Sequence, residues 1–497
     1  MSRVDQLIEK LWRQKRKLCF DENPESGRMN DRANQCNFAS LDLRSEENSE
    51  ELDGEGFCRH WWEELGCPPE GRFFLHLRRQ FREKWRDGES FFFEQFFEIN
   101  AHGEELHLKG CIWKGTKDQE TLESLIGRHP GDPLHEAASR YGAVVVDPQE
   151  PMRLEVLKIP KPWGYEGWYT GIEKRGVVCV HDNSGRTELT YTFSLFRDRM
   201  LGGPVEKLIL LKTLNPVPEE VIGDLYLEMH EEKWEVYVVI ALDPEAWPSG
   251  KGMIRAGLAP EIIKKYRAEH GEEWSRHCLG DFRSCIGVYE EIRRRIDDIL
   301  DREKQKNDML LDESISPDQI RELQACVPHD LREEEKRLRS EVESFVGTVP
   351  VGIGDVVTFP ALQMHSLQHG IRVIEFQTPH YERLILMFAQ KVLTQDHWDT
   401  GRALELMSSE AYRIPEAELL EKGECFFEEK IVVFPDFMVD RVLLESGADR
   451  EHHCGRCYLL IIVVSGRAVY ESRSGSCFPL EPEAALFVPA AVNSYRI

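Results

Sequence analysis

Short apolar segments follow one another between residues 142 and 242, separated by glycine, proline, asparagine or aspartate. Valine, isoleucine, threonine and tyrosine dominate these segments, which read GAVVVD, RLEVLKI, GVVCVHD, TELTYTFSLF, KLILLKTL, DLYLEM and EVYVVIAL. Such residues favour strands, and turn residues at short intervals limit each strand to a few residues. The pattern predicts a β-sandwich or a small barrel.

A helical pattern interrupts these strands over residues 246–345. Within IGVYEEIRRRIDDIL the apolar side chains recur every three or four positions and form one helical face: Ile286, Tyr289, Ile292, Ile296 and Ile299. Strand-like segments resume over residues 346–400 and again over 401–497. We therefore expect two β domains. The first is formed by residues 141–245 together with 346–400, and the helical segment is inserted within it.

Residues 1–140 show no such regular pattern. FFLHLRRQFREKW and ESFFFEQFFEIN carry aromatic residues at spacings that fit short helices with apolar faces. An aromatic stripe of this kind is more typical of a core than of a ligand site. The expected fold class is therefore mixed but β-dominated, with an α-rich N-terminal region to which no function is assigned.

Composition restricts the partners. The chain of 497 residues carries a net charge of −26, which disfavours nucleic acid or an anionic membrane. The sequence contains no signal-peptide pattern and no stretch of about 20 apolar residues that would predict a membrane span. Its 13 cysteines are scattered, as in proteins of the reducing cytoplasm. We expect a cytoplasmic protein whose partner is a small molecule, and the sequence leaves the oligomeric state open.

One segment of the strand pattern is unusually charged, LEMHEEKWE at Leu227–Glu235. Side chains two apart on a strand share a face, so Glu228 and His230 point the same way. A turn before Glu235 would bring its carboxylate to the same interior. A solvated hairpin is one interpretation of these charges. The other is a metal site, because a divalent cation compensates the cost of burying carboxylates.

A further ligand for such a site lies in GDVVTFPALQMH, which ends at His365 after a turn, a strand and a proline bend. His369 is a nearby competitor. Two imidazoles and two carboxylates suit zinc, manganese or ferrous iron, and the group would comprise Glu228, His230, Glu235 and His365. We expect zinc, with manganese or iron as alternatives. A purely structural histidine at position 365 is the competing interpretation.

These segments resemble the two halves of the cupin metal motif and, more narrowly, the phosphomannose isomerases. KPWGYEGWYTG is similar to the Lys-Pro-Trp-Gly segment of that family, LILLKTLNP to the strand before its first ligands, and RVIEFQTPHYER to the strand after its last ligand. RAVYES and AALFVPAAVNSYRI resemble the metal-free second cupin of type I members. The resemblance implies a double cupin of β-sandwich or jelly-roll type, with residues 401–497 as the metal-free domain.

The resemblance also implies roles for individual residues. It places the metal ligands on Glu228, His230, Glu235 and His365, with Glu228 where the family has a neutral glutamine. Lys233 occupies the Lys-x-Glu spacing of the family, and Arg383 falls at its catalytic, phosphate-side arginine, for which a surface salt bridge is the competing role. Lys391 is a second phosphate candidate. Trp163 could pack beneath a sugar ring, although a place in the core is the simpler interpretation.

The activity that the resemblance implies is aldose–ketose isomerisation of mannose 6-phosphate to fructose 6-phosphate through a cis-enediol. A metal would polarise the sugar oxygen, Lys233 would carry the proton, and Arg383 would bind the phosphate or hydroxyl groups. Glu231 and Glu232 are alternative bases, with solvated turn charges as the simpler interpretation. Two other functions stay open: a non-enzymatic sugar-binding or regulatory cupin, and another metal-cupin reaction such as epimerisation or oxygenation.

Overall fold

A computed structural model describes most of the chain. The described residues are 37–43, 53–65, 70–82, 90–103, 105–115, 119–173, 176–203, 208–311, 315–379, 382–393 and 395–497. Strands dominate and form several sheets, so the expectation of a β-dominated fold is confirmed.

The N-terminal part of the described chain folds around a sheet. The sheet has the order β1-β2-β3-β4, with β1 parallel to β2 and the other pairs antiparallel. In chain order its strands and the helices around it are β1 (Asn37–Leu43), α1 (Gly54–Leu65), β2 (Glu70–Arg82), β3 (Ser90–His102), β4 (Glu105–Lys114), α2 (Gln119–Arg128) and α3 (Pro133–Tyr141). The prediction of an α-rich region is therefore wrong for the two aromatic segments, which form β2 and β3.

That prediction failed because the N-terminal sheet is buried on both faces. Phe74 and Phe96 stack with ring centroids 5.7 Å apart on the face covered by α2 and α3. Phe73 and Phe97 pack into a different core on the opposite face. A strand that is buried on both faces reads as a continuous apolar run instead of an alternation. The clustered phenylalanines of such a run resemble a helical stripe.

The middle of the chain supplies most of the remaining strands. In chain order its elements before the helical segment are β5 (Met152–Leu154), β6 (Leu157–Lys161), β7 (Gly164–Trp168), β8 (Ile172–Glu173), β9 (Gly176–Val177), β10 (Cys179–His181), β11 (Arg186–Glu188), α4 (Leu189–Leu201), β12 (Leu210–Pro216), β13 (Leu227–Met229), β14 (Glu235–Leu242) and β15 (Gly252–Leu258). Strands β8 and β9 pair only with each other.

Four helices follow: α5 (Pro260–His270), α6 (Trp274–Lys306), α7 (Pro317–Ala325) and α8 (His329–Glu343). The predicted apolar face of α6 is largely buried, since Ile286 and Tyr289 are 0% exposed and Ile292 and Ile296 are 3% exposed. Strand β15 lies inside the range predicted as helical, because it forms a ladder with the strand after α8. No helix in the described part of the chain is long and apolar enough to cross a membrane.

Strands after α8 complete two facing sheets. They are β16 (Val346–Val351), β17 (Val356–Phe359), β18 (His365–Ser366), β19 (Ile371–Gln377) and β20 (Leu384–Met387). One sheet has the order β17-β14-β19-β12-β7-β6 and the other the order β16-β15-β18-β13-β20. Side chains alternate along β14, so that Tyr237 and Val239 join one core and Val236 and Val238 join another. Glu235 lies on the same face of β14 as Tyr237, so its side chain projects between the two sheets.

The C-terminal elements are α9 (Thr400–Leu406), β21 (Glu418–Lys422), β22 (Phe426–Val433), β23 (Met438–Leu444), β24 (Glu451–His453), β25 (Leu459–Ile462), β26 (Ala468–Ser472), β27 (Cys477–Leu480), β28 (Ala485–Val488) and β29 (Ser494–Arg496). Their sheets have the orders β21-β22-β23, β24-β29-β26-β27 and β11-β10-β5-β28-β25. The last sheet joins strands from both predicted β domains through the pair Leu486–Arg153. The division into two cupins stays a prediction.

The doubly buried N-terminal sheet yields a stability test. Phe96 is 0% exposed and stacks on Phe74, so Phe96→Ala should lower the free energy of unfolding by about 3–5 kcal/mol. Val469→Ala is the control, because Val469 is 52% exposed and exposed substitutions change stability by about 0.5 kcal/mol or less. Urea unfolding followed by tryptophan fluorescence measures both. Equal effects of the two substitutions would contradict the burial of this sheet.

Candidate metal centre

The charged segment connects the two facing sheets. Strand β13 carries Glu228 and lies in one sheet, and β14 begins at Glu235 in the other, so the segment is not the hairpin considered above. The connection, residues His230–Trp234, is called the ligand turn below. In the second sheet β13 pairs with β18 in a register that sets Glu228 opposite His365. Strand pairing thus brings together residues that are far apart in sequence.

Glu228, His230 and His365 form a group that could hold a metal ion, with ligand atoms within 4.8 Å of one another. It is the one such group among the described residues, and Cys454 and Cys457 lie outside it. The two imidazoles are deeply buried, at 2% and 1% exposure for His230 and His365, whereas Glu228 is half-buried. This burial distinguishes the group from a solvated surface cluster.

Hydrogen bonds from the other ring nitrogen orient both imidazoles. His230 Nδ1 lies 2.8 Å from the carbonyl oxygen of Glu382, and His365 Nδ1 lies 3.0 Å from that of Gln363. A carbonyl accepts only from N–H, so each Nδ1 carries a proton, and each Nε2 is directed to the group. A backbone partner on the second ring nitrogen is typical of histidines that bind metals.

Glu235 lies between the two imidazoles and is 2% exposed. Its Oε2 accepts from His365 Nε2 at 3.0 Å and from the Tyr237 hydroxyl at 3.2 Å, and its Oε1 is 2.7 Å from Lys233 Nζ. Burial disfavours the charge of Glu235, but Lys233 and His230 outweigh it and hold the pKa of this carboxyl well below its usual range. Glu235 is therefore an ionised carboxylate next to the metal-binding group.

The two imidazoles differ electrostatically. Burial and the Lys233 ammonium lower the pKa of His230, which favours the neutral ring that a metal requires. Burial also acts on His365, but its hydrogen bond to Glu235 outweighs burial and raises the pKa. His365 must therefore release a proton when a cation binds, and metal affinity should rise with pH.

The residues fit a divalent cation. His230 Nε2 is buried without a hydrogen-bond partner; it lies 3.2 Å from Glu235 Oε1 but is not aligned for a bond. A buried lone pair without a partner is costly, and a metal ion would satisfy it. Imidazole nitrogens with carboxylates are ligands of zinc, manganese and ferrous iron. Glu228, His230, Glu235 and His365 could together hold such an ion.

Glu382 fixes the start of the ligand turn, and no pattern in the sequence indicated this role. Its carboxylate accepts from the backbone N–H of Glu231 at 2.9 and 3.0 Å and from that of Glu232 at 3.3 Å. Its carbonyl orients His230, as described above. Glu231 pairs with Arg402 at 2.9 Å and Glu232 is exposed, so both carboxylates of the turn are in the positions of solvated charges.

The other predicted site residues are spread more widely. Arg383 lies over the Tyr226 ring at 4.4 Å, and Tyr226 directly precedes β13, the strand that carries Glu228. The Lys391 ammonium pairs with Asp301 of α6. Trp163 is 2% exposed and packs in the core, which agrees with its simpler interpretation.

The competing histidine has a structural partner. His369 Nδ1 bonds to Asp224 at 2.7 Å, and its ring stacks on Trp247 with centroids 5.1 Å apart. It is therefore not part of the candidate group.

A second buried pair faces the same interior and was missed. Lys212 Nζ lies 3.0 Å from Glu375 Oε2, and Glu375 pairs in register with Tyr237. Burial raises the pKa of Glu375 to about 8 although Lys212 adjoins it. Burial acts in the opposite direction on Lys212, but Glu375 outweighs it and raises the lysine pKa. The available signal was a lysine within the apolar strand LILLKTL.

We compared the chain with known protein families, curated protein sequences and solved structures. No known protein family and no curated protein sequence matches the chain. Among solved structures, the mannose 6-phosphate isomerase from Bacillus subtilis is 12% identical, with a TM-score of 0.47 over 70% of this chain and 96% of that one. A variant of the phosphomannose isomerase from Salmonella typhimurium is 12% identical, with a TM-score of 0.48 over the same shares. A mannose 6-phosphate isomerase bound with zinc and yttrium is 12% identical, with a TM-score of 0.47 over 70% and 98%. Similarity this low does not establish an activity for this chain.

Removal of His365 tests the metal centre. His365→Ala deletes one imidazole of the group and should weaken zinc binding by more than about 100-fold, since loss of an outer partner alone typically costs about 10–100-fold. His369→Ala is the matched control, because that ring bonds to Asp224. Isothermal titration of metal-free protein with zinc measures both affinities. Equal affinities in the two variants would remove His365 from the site.

The raised pKa of Glu375 predicts a pH effect on stability. A glutamate in the unfolded chain loses its proton near about pH 4.3, whereas folded Glu375 retains it to about 8. Folding therefore favours the protonated form, and this stabilisation is lost as the pH rises through the folded value. Wild type should lose stability relative to Glu375→Gln between about pH 5 and 8. Urea midpoints measured at several pH values give the difference, and a constant difference would contradict the shift.

Proposed function

We propose that this chain is a metal-dependent aldose–ketose isomerase acting on a mannose-type sugar, with mannose 6-phosphate and fructose 6-phosphate as substrate and product. The observation that carries the proposal is the buried ammonium of Lys233, which is 8% exposed and lies 2.7 Å from Glu235. The same carboxylate adjoins both imidazoles. A proton carrier next to a metal-binding group is what isomerisation through an enediol requires.

Zinc is the proposed metal, and Glu228, His230, Glu235 and His365 are its proposed ligands. A bound divalent ion would act as a Lewis acid on the carbonyl and hydroxyl oxygens of the sugar. The orphan nitrogen of His230 and the oriented ring of His365 support this assignment. The mixed nitrogen and oxygen set also admits manganese or iron, which metal analysis would distinguish.

Lys233 is the proposed proton carrier. Beside a bound divalent cation, like-charge repulsion would favour loss of the proton from the Lys233 ammonium. The amine so formed would take the proton from C2 of the aldose and return it to C1 on the same face, while the hydroxyl proton passes from O2 to O1. Glu235 fixes the amine through the 2.7 Å contact, and deep burial keeps bulk water from exchanging the carried proton. Glu231 is less suited, because its carboxylate pairs with Arg402 at the surface.

Arg383 is the proposed group for the substrate phosphate. Its guanidinium lies against Tyr226, which directly precedes the strand that carries Glu228. The planar fork of arginine suits a phosphate, whereas Glu228 adds negative charge to the approach. Lys391 is not included, because its ammonium pairs with Asp301. The proposal places the site in a metal-binding cupin of a double-cupin chain.

Lys233→Met tests the proposal. Deleting the amine should lower turnover about 10²–10⁴-fold, as expected for loss of a general acid–base group, while zinc content stays the same. Interconversion is assayed with a panel of aldoses and their 6-phosphates in the presence of zinc, manganese, cobalt or iron. Lys264→Met is the control, because Lys264 is exposed on α5.

Two outcomes would contradict the proposal. If wild type interconverts no aldose with any of the metals, the chain is not an isomerase, and a sugar-binding cupin becomes the better account. If Lys233→Met turns over like Lys264→Met, the proton is carried by another group.

A further inference from the structure

The sheet β21-β22-β23 contacts the ligand turn. Phe434 and Phe437 flank the turn of the hairpin between β22 and β23 and are joined by a backbone hydrogen bond of 2.8 Å. The Phe434 ring lies 6.3 Å from the Trp234 ring, centroid to centroid. Trp234 is the last residue of the ligand turn, between Lys233 and Glu235. A hairpin from the C-terminal part of the chain thus contacts the ligand turn next to the metal-binding group.

A chain of hydrogen bonds, called the relay below, links Asp436 through Thr378 to Trp234. Thr378, which is 0% exposed, donates its hydroxyl to Asp436 Oδ2 at 3.2 Å. The same hydroxyl accepts from the backbone N–H of Trp234 at 3.2 Å. The N–H of Thr378 also donates to the carbonyl of Trp234 at 3.1 Å. Both polar backbone atoms of Trp234 are therefore bonded to Thr378.

We propose that Asp436 and Thr378 are positioning residues for the metal centre, and that the C-terminal hairpin contributes to the site in this way. A hydroxyl has one proton, and the Asp436 carboxylate can only accept it. Asp436 thereby turns the oxygen lone pair of Thr378 towards the Trp234 N–H. The inference rests on the proposed function for its catalytic consequence but not for its effect on metal binding.

The relay affects the site because Trp234 lies between Lys233 and Glu235 in the sequence. Its N–H and carbonyl define the peptide planes that join it to Lys233 and to Glu235. If Trp234 moves, the 2.7 Å contact between Lys233 and Glu235 and the contacts of Glu235 with the imidazoles change together. Misplacement of reacting groups by about 1 Å can cost about 100-fold in rate. Outer partners of metal ligands typically contribute about 10–100-fold in affinity.

The test compares four variants of the full chain. Thr378→Val keeps the volume and the backbone bonds of Thr378 but removes the hydroxyl, and Thr378→Ser restores the hydroxyl. Asp436→Ala removes the acceptor at the half-buried hairpin, and Asp440→Ala is its control on the same sheet, where Asp440 is exposed. Four quantities are measured: zinc affinity, amide hydrogen exchange of the peptide containing Trp234 in metal-free protein, kcat and KM.

Thr378→Val and Asp436→Ala should weaken zinc binding about 10–100-fold and accelerate exchange at Trp234, whereas Thr378→Ser and Asp440→Ala should match wild type. Where isomerase activity is present, kcat should fall up to about 100-fold with little change in KM, because Arg383 is untouched. Asp436→Ala decides the question if Thr378→Val does not fold.

Wild-type zinc affinity and exchange in Asp436→Ala would overturn the relay, whatever the activity. Weakened zinc binding and faster exchange without any isomerase activity in wild type would support the relay and reject the proposed function. The two failures are therefore distinguishable.

Discussion

The carboxylate of Glu235 is the constraint on which the rest of the centre depends. A charge buried to 2% exposure costs several kcal/mol unless it is paired and hydrogen-bonded. Lys233, His230, His365 and Tyr237 all lie within reach of it. These groups come from the ligand turn, from β14 and from β18, which lie in or between the two facing sheets. Of these groups only His365 comes from the opposite sheet, so its contact with Glu235 joins the two sheets at the metal-binding group.

Local pattern in the sequence was enough to predict much of the middle of the chain. Alternation and turn residues indicated strands, and the three-to-four spacing in α6 indicated its buried face, because both features are set by local geometry. The candidate ligands could be predicted as well, since polar residues at strand parity are unusual in an apolar strand. The N-terminal sheet could not, because burial on two faces removes the alternation that marks a strand.

The residues that hold the ligand turn in place could not be predicted from the sequence, for a different reason. Glu382 and Thr378 accept hydrogen bonds from backbone N–H groups of the ligand turn, and backbone donors leave no residue pattern in the sequence. The hairpin interpretation of the connection does not hold, and the sequence left it open because a crossing between facing sheets and a tight turn within one sheet can have equal length. The pair of Lys212 and Glu375 is similar, because nothing in the sequence of either strand indicates the partner and the register of β12 with β19 brings them together.

The sheet β11-β10-β5-β28-β25 has a consequence for synthesis of the chain. Strand β5 pairs with β28 through Arg153 and Leu486, so one edge of β5 gains its partner only after nearly the whole described chain has been made. Until then that strand presents unpaired N–H and carbonyl groups, which are a template for pairing with other chains. Contacts of such long sequence separation slow folding and expose intermediates to aggregation. A chain truncated before residue 485 would leave this sheet edge open.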